Sequence, residues 1–136
     1  MIIHEIPGKM VTSWDAGSKS IIDKVDTFRM SLHEFQGAVM EKGLEHAKSH
    51  GAIAWIVDSS TAEGNFKKEI QDYIDNVVFP TFAENGIEYF VTVKPEEPGL
   101  TSMTVENFAS KVGPSGMQLV EAANVEVAKK WLRNQR

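Results

Sequence analysis

The stretch Ala52-Ile53-Ala54-Trp55-Ile56-Val57-Asp58 decides the fold of this 136-residue chain. Six consecutive apolar residues end at an aspartate, and segments with helical periodicity flank the run on both sides. A short apolar run in that setting is typical of a strand in a parallel sheet, because helices then cover both faces of the strand. We therefore predict that this stretch forms a central strand of an α/β sheet.

A helix is predicted on each side of this strand. Before it, Ser31-Leu32-His33-Glu34 has the form of a capping box, in which each outer side chain satisfies the other residue's free amide. Apolar residues at helical spacing follow, which predicts a helix from about Leu32 to Ser49. After the strand, a second apolar stripe predicts a kinked helix over 66–85, in which Pro80 pushes Phe79 toward an extended conformation.

The beginning of the chain has the pattern of a β-hairpin. Lys9–Trp14 and Ser20–Phe28 are strand-like segments, and they flank the turn-rich tetrapeptide Asp15-Ala16-Gly17-Ser18. We therefore predict a hairpin over about 9–28.

The second half of the chain continues the alternation of strands and helices. Ile87–Val93 and Met117–Val120 predict two further strands, and a short helix is predicted around Met103–Lys111. Asn124 has the position of an N-cap for a last helix.

The predicted element order is β-β-α-β-α-β-α-β-α. Such alternation implies parallel pairing through right-handed crossovers, and the opening hairpin makes the sheet mixed. We therefore expect one α/β domain over residues 1–136, with its core at about 31–135. Its sheet should be mixed, mostly parallel and four- to five-stranded, with helices flanking it.

Composition and charge exclude several classes of protein. The chain has 14 Lys plus Arg against 19 Asp plus Glu, a net charge of −5, which argues against a nucleic-acid binder that depends on counterion release. Without cysteine it cannot form disulfides or thiolate zinc sites. It has no dinucleotide or phosphate-loop motif, so we expect no cofactor.

The start lacks a signal-peptide pattern and the apolar runs are short, so we expect a cytoplasmic protein without a membrane span.

His46 and His50 are four residues apart, the spacing that places two metal ligands on one helix face. The metalloprotease form needs a glutamate directly after the first histidine, where this chain has Ala47. No third ligand is indicated. We therefore interpret the pair as partly buried histidines at a helix C-terminus, where a cation is favoured, and predict no metal site.

The loop Asp58-Ser59-Ser60-Thr61 directly follows the central strand. Ligands of open α/β sheets bind at the carboxyl ends of the strands, so three hydroxyls beside a carboxylate are a candidate ligand, partner or phosphorylation site. The alternative is a structural loop whose hydroxyls cap the next helix and whose Asp58 accepts from backbone amides.

A set of aromatic residues surrounds the predicted kink in the second helix. Two interpretations are open, since these side chains can close the top of the core or line an apolar pocket. The candidate pocket residues are Phe79, Phe82, Tyr89, Phe90 and Phe108.

Five short motifs follow one another between Leu32 and Arg133. They are Trp55-Ile56-Val57-Asp58, Val78-Phe79-Pro80, Gly86-Ile87-Glu88, Val93-Lys94-Pro95 and the closing Ala128-x-x-Trp131-Leu132. In this order and spacing they resemble the SpoIIAA-like proteins, which are small bacterial proteins grouped with the STAS and CRAL-TRIO domains. The resemblance implies a mixed sheet of four or five strands with flanking helices.

The resemblance also implies two kinds of binding. STAS-type anti-sigma-factor antagonists bind protein partners and carry a phosphorylatable serine in Asp-Ser-Ser-Gly, which Asp58-Ser59-Ser60-Thr61 resembles except that Thr61 replaces the glycine. CRAL-TRIO domains imply an apolar, lipid-like ligand beneath a mobile helix.

Three functions remain as hypotheses. The first is a non-enzymatic binding or regulatory module that binds a protein partner or pairs as a homodimer, through an apolar helix face beside Trp131. The second is a carrier or sensor of a small apolar ligand, bound in a pocket near the helix at 66–85. The third is a hydrolase or transferase that uses Asp58 with His46 or His50.

Overall fold

The apolar stretch at residues 54–58 forms the middle strand of the sheet. A computed structural model describes residues 2–60, 62, 68–93, 110–112 and 117–134. Within them the sheet has seven strands, in the order β1-β2-β3-β4-β5-β7-β6. The strands are β1 (Ile2–Ile6), β2 (Met10–Asp15), β3 (Ser20–Val25), β4 (Ala54–Asp58), β5 (Tyr89–Val93), β6 (Ser110–Val112) and β7 (Gln118–Ala122).

The strand pairing confirms a mixed α/β sheet. Strands β2 and β3 pair antiparallel, which confirms the hairpin, and β1 extends it at the sheet edge. Strands β3, β4, β5 and β7 pair parallel in succession, while β6 pairs antiparallel with β7. The hairpin therefore belongs to the main sheet, because its second strand is also the first parallel strand.

The sheet is larger than the predicted four to five strands, and the predicted element order is wrong at two places. Strand β1 (Ile2-Ile3-His4-Glu5-Ile6) lacks a regular alternation, since edge strands need no continuous apolar face. Strand β6 includes residues 110 and 111, which were expected at the end of a helix. The rest of that predicted helix lies outside the described residues.

Three helices are described, and two of them contain a π-helical turn. Helix α1 begins with the predicted capping box, in which Ser31 Oγ accepts from the Glu34 amide and Glu34 Oε1 accepts from the Ser31 amide, both at 3.0 Å. The helices are α1 (Leu32–Gln36, π-helical Gly37–Gly43, Leu44–His50), α2 (Lys68–Tyr73, π-helical Ile74–Val78, Phe79–Glu84) and α3 (Val125–Arg133). None of them is long and apolar enough to cross a membrane.

The prediction that Phe79 is extended is wrong. Its backbone is helical, with φ −61° and ψ −48°, and α2 continues through Pro80 to Glu84. The proline stands at the beginning of the α-helical turn that follows the π-helical segment. Just before it, the Phe79 amide donates to the carbonyl of Ile74, five residues earlier, so the usual helical hydrogen-bond register is already shifted where the proline enters.

Side chains alternate between the two faces of the sheet, and each face has its own hydrophobic core. In β4, Trp55 points toward α1 and α2, whereas Ala54 and Ile56 point toward α3. On the α3 side, Ala128 and Leu132 are completely buried against the sheet. The helices therefore form a layer on each face, with α1 and α2 together on one side.

Candidate functional site

A cavity of about 230 Å³ lies between the sheet and the helices α1 and α2. It is close to the carboxyl ends of the parallel strands, since Val25, Val57 and Thr92 come from the last residues of β3, β4 and β5. Its walls are almost entirely apolar. The lining residues are Met10, Asp23, Val25, Phe28, Phe35, Val39, Trp55, Val57, Ser59, Ile74, Val78, Phe82, Phe90 and Thr92.

Part of the cavity wall reaches the protein surface. Phe28, Val57, Ile74, Phe90 and Thr92 are half-buried, whereas the other nine lining residues are buried. These five residues are therefore the part of the wall that is accessible to solvent.

Asp23 places a carboxylate in this apolar cavity. The residue is in the middle of β3, is 2% exposed and is held by two side-chain donors. Thr12 Oγ1 donates to Asp23 Oδ1 at 2.6 Å, and Trp55 Nε1 donates to Asp23 Oδ2 at 2.7 Å. Because a carboxylate has about four acceptor positions, these two bonds fix its orientation and leave acceptor capacity for a ligand.

Burial raises the pKa of Asp23 to about 6, and the hydrogen bonds from Thr12 and Trp55 oppose this rise. Removal from water disfavours the charged form, while donors to the carboxylate favour it. Asp23 is therefore a carboxylate whose charge changes close to neutral pH. Such groups in cavities are enriched at functional sites.

Trp55 connects the carboxylate to both covering helices. Its ring stacks on Phe82 of α2 at 4.2 Å, with 19° between the ring planes. Helix α1 approaches the same ring so closely that a Cβ at Gly43 would lie 2.8 Å from Trp55 Cη2. Gly43 thus permits the contact, because a side chain at this position has no room.

The π-helical turns of both helices contribute to the cavity wall. Val39 comes from the π-helical segment of α1, and Ile74 and Val78 come from that of α2. A π-helical turn inserts an extra residue and is found frequently at functional sites. In this protein each such turn lies directly over the cavity.

The structure separates the predicted aromatic set. Phe82 and Phe90 line the cavity, and Phe79 packs edge-on against Phe90 at 5.0 Å. Tyr89 lies on the opposite face of the sheet, away from this cavity, where its ring meets Trp131 at 5.3 Å. Phe108 lies outside the described residues.

The polar groups of the loop after β4 are used within the fold. The Ser59 amide and hydroxyl both donate to the Val93 carbonyl, at 2.8 and 2.7 Å, and Ser59 also lines the cavity. The Ser60 amide and hydroxyl both donate to Asp58 Oδ1, at 3.0 and 2.6 Å. Thr61 lies outside the described residues. The described geometry matches that of a structural loop, with Ser59 directed to the cavity.

His46 and His50 stack on each other at the C-terminal end of α1. Their ring centroids are 3.9 Å apart, and each lies 5.5 Å from the ring of Trp14. Burial lowers the pKa of His46, and the neighbouring His50 lowers it further. Among the residues that the structure describes, no group of three or more His, Asp or Glu side chains could hold a metal ion.

The residues of the hydrolase or transferase hypothesis do not come together. The two histidines pack against Trp14, which is in register with Ile21 and, through it, with Trp55 near the beginning of β4, whereas Asp58 is the last residue of that strand. Strand β4 has five residues, so its first and last Cα atoms are roughly 13 Å apart. Asp58 shares the alternation of Ala54 and Ile56, on the face opposite α1.

Sequence reasoning missed Asp23, the most distinctive group of the site. A signal for it exists, since Ile21 and Val25 stand two residues before and after it and are both buried beneath α1 and α2. An aspartate between two core-facing residues on one face of a strand predicts a buried carboxylate. Its donors Thr12 and Trp55 follow from the register, because Thr12 lies directly opposite Asp23 in β2.

Comparison with family models, curated proteins and solved structures finds no match for this chain. Its functional interpretation therefore depends on the geometry of its own residues.

Proposed function

We propose that this protein is a non-enzymatic binding module that holds a small, mainly apolar molecule in the cavity between the sheet and helices α1 and α2. The observation that carries the proposal is the cavity of about 230 Å³ at the carboxyl ends of the parallel strands. Ligands of open α/β sheets bind at that edge. A protein interior ordinarily contains few voids larger than a water molecule, so an apolar space of this size at that position favours a ligand.

At Ser59, the loop after β4 favours ligand binding over a phosphoswitch. Ser59 is 6% exposed and its hydroxyl is bonded to the Val93 carbonyl, so a kinase would have to open the loop to reach it. Ser60 is exposed, so phosphorylation of its hydroxyl stays an alternative. The α/β class is compatible with a SpoIIAA-like relationship, which remains a proposal based on the five short motifs. Within that resemblance, the cavity favours the apolar-ligand role.

A titration with toluene tests the proposal. An apolar cavity of about 150 Å³ binds benzene, so a cavity of this size should accept toluene. We expect a raised thermal midpoint and a shift of the Trp55 indole N–H resonance, since Trp55 lines the cavity. Native mass spectrometry of the freshly purified protein complements the titration, because a small mass that is lost on denaturation would identify a retained ligand.

Two neighbouring valines offer a matched pair of variants. Val78 is 2% exposed and lines the cavity, whereas Val77 is 37% exposed. Val78→Phe places a ring in the cavity and should abolish toluene binding, while Val77→Phe adds the same volume at the surface and should leave it intact. Equal toluene binding by both variants would place the ligand elsewhere and refute the proposal.

A further inference from the structure

We propose that the ligand is a small organic amine, bound as its cation, with its ammonium group on Asp23 and its apolar body against the aromatic wall of the cavity. This inference rests on the proposed function, since it names the chemical class of molecule that the cavity takes. Three features of the cavity support it: its charge, its aromatic walls and its size.

Among the described residues that line the cavity, charge has one sign. Asp23 is the acidic residue of the wall, and none of the described lining residues is Lys, Arg or His. The groups that face its carboxylate are neutral, namely the Thr12 hydroxyl and the Trp55 indole N–H. A buried carboxylate without an ionic partner is costly, and a ligand cation would compensate it. An anionic ligand would meet repulsion at the same place.

The walls of the cavity suit a cation as well as an apolar group. Five of the lining side chains are aromatic, and aromatic faces attract ammonium groups through their quadrupole. An aromatic enclosure with one carboxylate combines the two interactions that proteins use to bind organic ammonium ions. The aromatic lining residues are Phe28, Phe35, Trp55, Phe82 and Phe90.

The volume limits the size of the amine. A cavity of about 150 Å³ holds benzene, so one of about 230 Å³ holds a molecule of roughly nine heavy atoms. An aromatic ring with a two-carbon amine side chain has this size. Lipids with long acyl chains are too large for the space described.

Isothermal titration calorimetry with three probes of similar size tests the inference. The probes are 2-phenylethylammonium, 2-phenylethanol and phenylacetate, which differ in the charge of the polar group. We expect the amine to bind roughly tenfold more tightly than the alcohol at pH 7.5, because a charge-assisted hydrogen bond is stronger than a neutral one. Phenylacetate should bind most weakly.

The outcomes separate this inference from the proposed function. If the alcohol binds as tightly as the amine, or phenylacetate binds best, the amine inference is overturned while the apolar cavity retains its role. If none of the three probes binds and toluene also fails, both are overturned.

Asp23→Asn tests the role of the carboxylate with little change of shape. Asn can still accept from Trp55, and its amide can donate to the Thr12 oxygen, so the indole stays in place. We expect the preference for the amine over the alcohol to disappear in this variant and to persist in Asp26→Asn, which removes an exposed carboxylate. A preference that survives Asp23→Asn would refute the inference.

A measurement on the unsubstituted protein covers the case in which Asp23→Asn does not fold. The amine stays protonated from pH 7.5 to 4.5, whereas Asp23 gains a proton over this range. The ratio of the amine affinity to the alcohol affinity should therefore fall toward one at pH 4.5. A ratio that is the same at both pH values would overturn the role of Asp23.

Discussion

Burial of Asp23 makes the stability of the fold depend on pH in a defined direction. Its pKa is about 6 in the folded protein, against 3.8 for an ordinary aspartate. Between these values the folded protein binds a proton that the unfolded chain does not bind. The contribution of this group to the free energy of unfolding is therefore fully present below pH 3.8 and is lost as the pH rises through 6. The difference between the two pKa values corresponds to about 3 kcal/mol.

The test compares the wild type with Asp23→Asn in urea unfolding experiments at pH 7 and pH 4. The other carboxylates titrate in both proteins, so their effects on stability cancel when the two proteins are compared. A loss of stability from imperfect hydrogen bonds of the new amide does not depend on pH, so it cancels when the two pH values are compared. When the pH falls from 7 to 4, the wild type should gain most of the 3 kcal/mol relative to the variant. Asp26→Asn, at an exposed position, is the control and should show a much smaller change. If the free energies of unfolding of the wild type and Asp23→Asn differ by the same amount at both pH values, the predicted effect of the buried carboxylate is refuted.

Three further outcomes are expected. Gly43→Ala should lower the free energy of unfolding by about 1–2 kcal/mol in denaturant titration, because overpacking against Trp55 exceeds the gain in helix propensity. A more stable variant would contradict the close contact. Ser31→Ala should cost about 1 kcal/mol because α1 loses its capping box, and an unchanged urea midpoint would show that the cap is dispensable. Light scattering at micromolar protein concentration should give the mass of a dimer, and a monomer mass would contradict the predicted self-association.

The parts of the fold that sequence reasoning predicted are those with local causes. The capping box at Ser31 and Glu34 specifies the beginning of α1, and Gly51, in the left-handed conformation with φ 68°, ends it. The apolar run of β4 indicates a strand with helices on both faces. Asn124 begins α3 through a hydrogen bond from the Val127 amide to its side chain. Each of these signals involves residues only a few positions apart.

The path of α2 through Pro80 could not be predicted from such rules. Local reasoning expects proline to break a helix, because its ring clashes with the preceding turn. A π-helical turn at Ile74–Val78 changes the register of that turn and lets the helix continue. This insertion has no clear signature in a single sequence, so the altered position of Phe79 became visible only in the structure.

The cavity also depends on contacts between distant residues. Trp55 and Asp23 are 32 positions apart, and their hydrogen bond requires the parallel register of β3 and β4. The space beside them is set by how closely α1 approaches at Gly43 and by the ring of Phe82. Of the aromatic candidates, Phe82 and Phe90 line the cavity and Tyr89 lies on the other face of the sheet, since alternation along β5 directs neighbouring residues to opposite faces.

Side chains along the central strands alternate strictly between the two faces of the sheet, and this alternation affects how the protein can change during evolution. Every apolar residue of the cavity wall belongs to the core beneath α1 and α2, and none to the core beneath α3. Substitutions that reshape the cavity therefore leave the packing of α3, Ile56 and Val91 intact. The two cores can therefore vary separately, although substitutions on the cavity side such as Gly43→Ala still cost stability. Over evolution, the shape of the cavity can change through substitutions that leave the second core as it is.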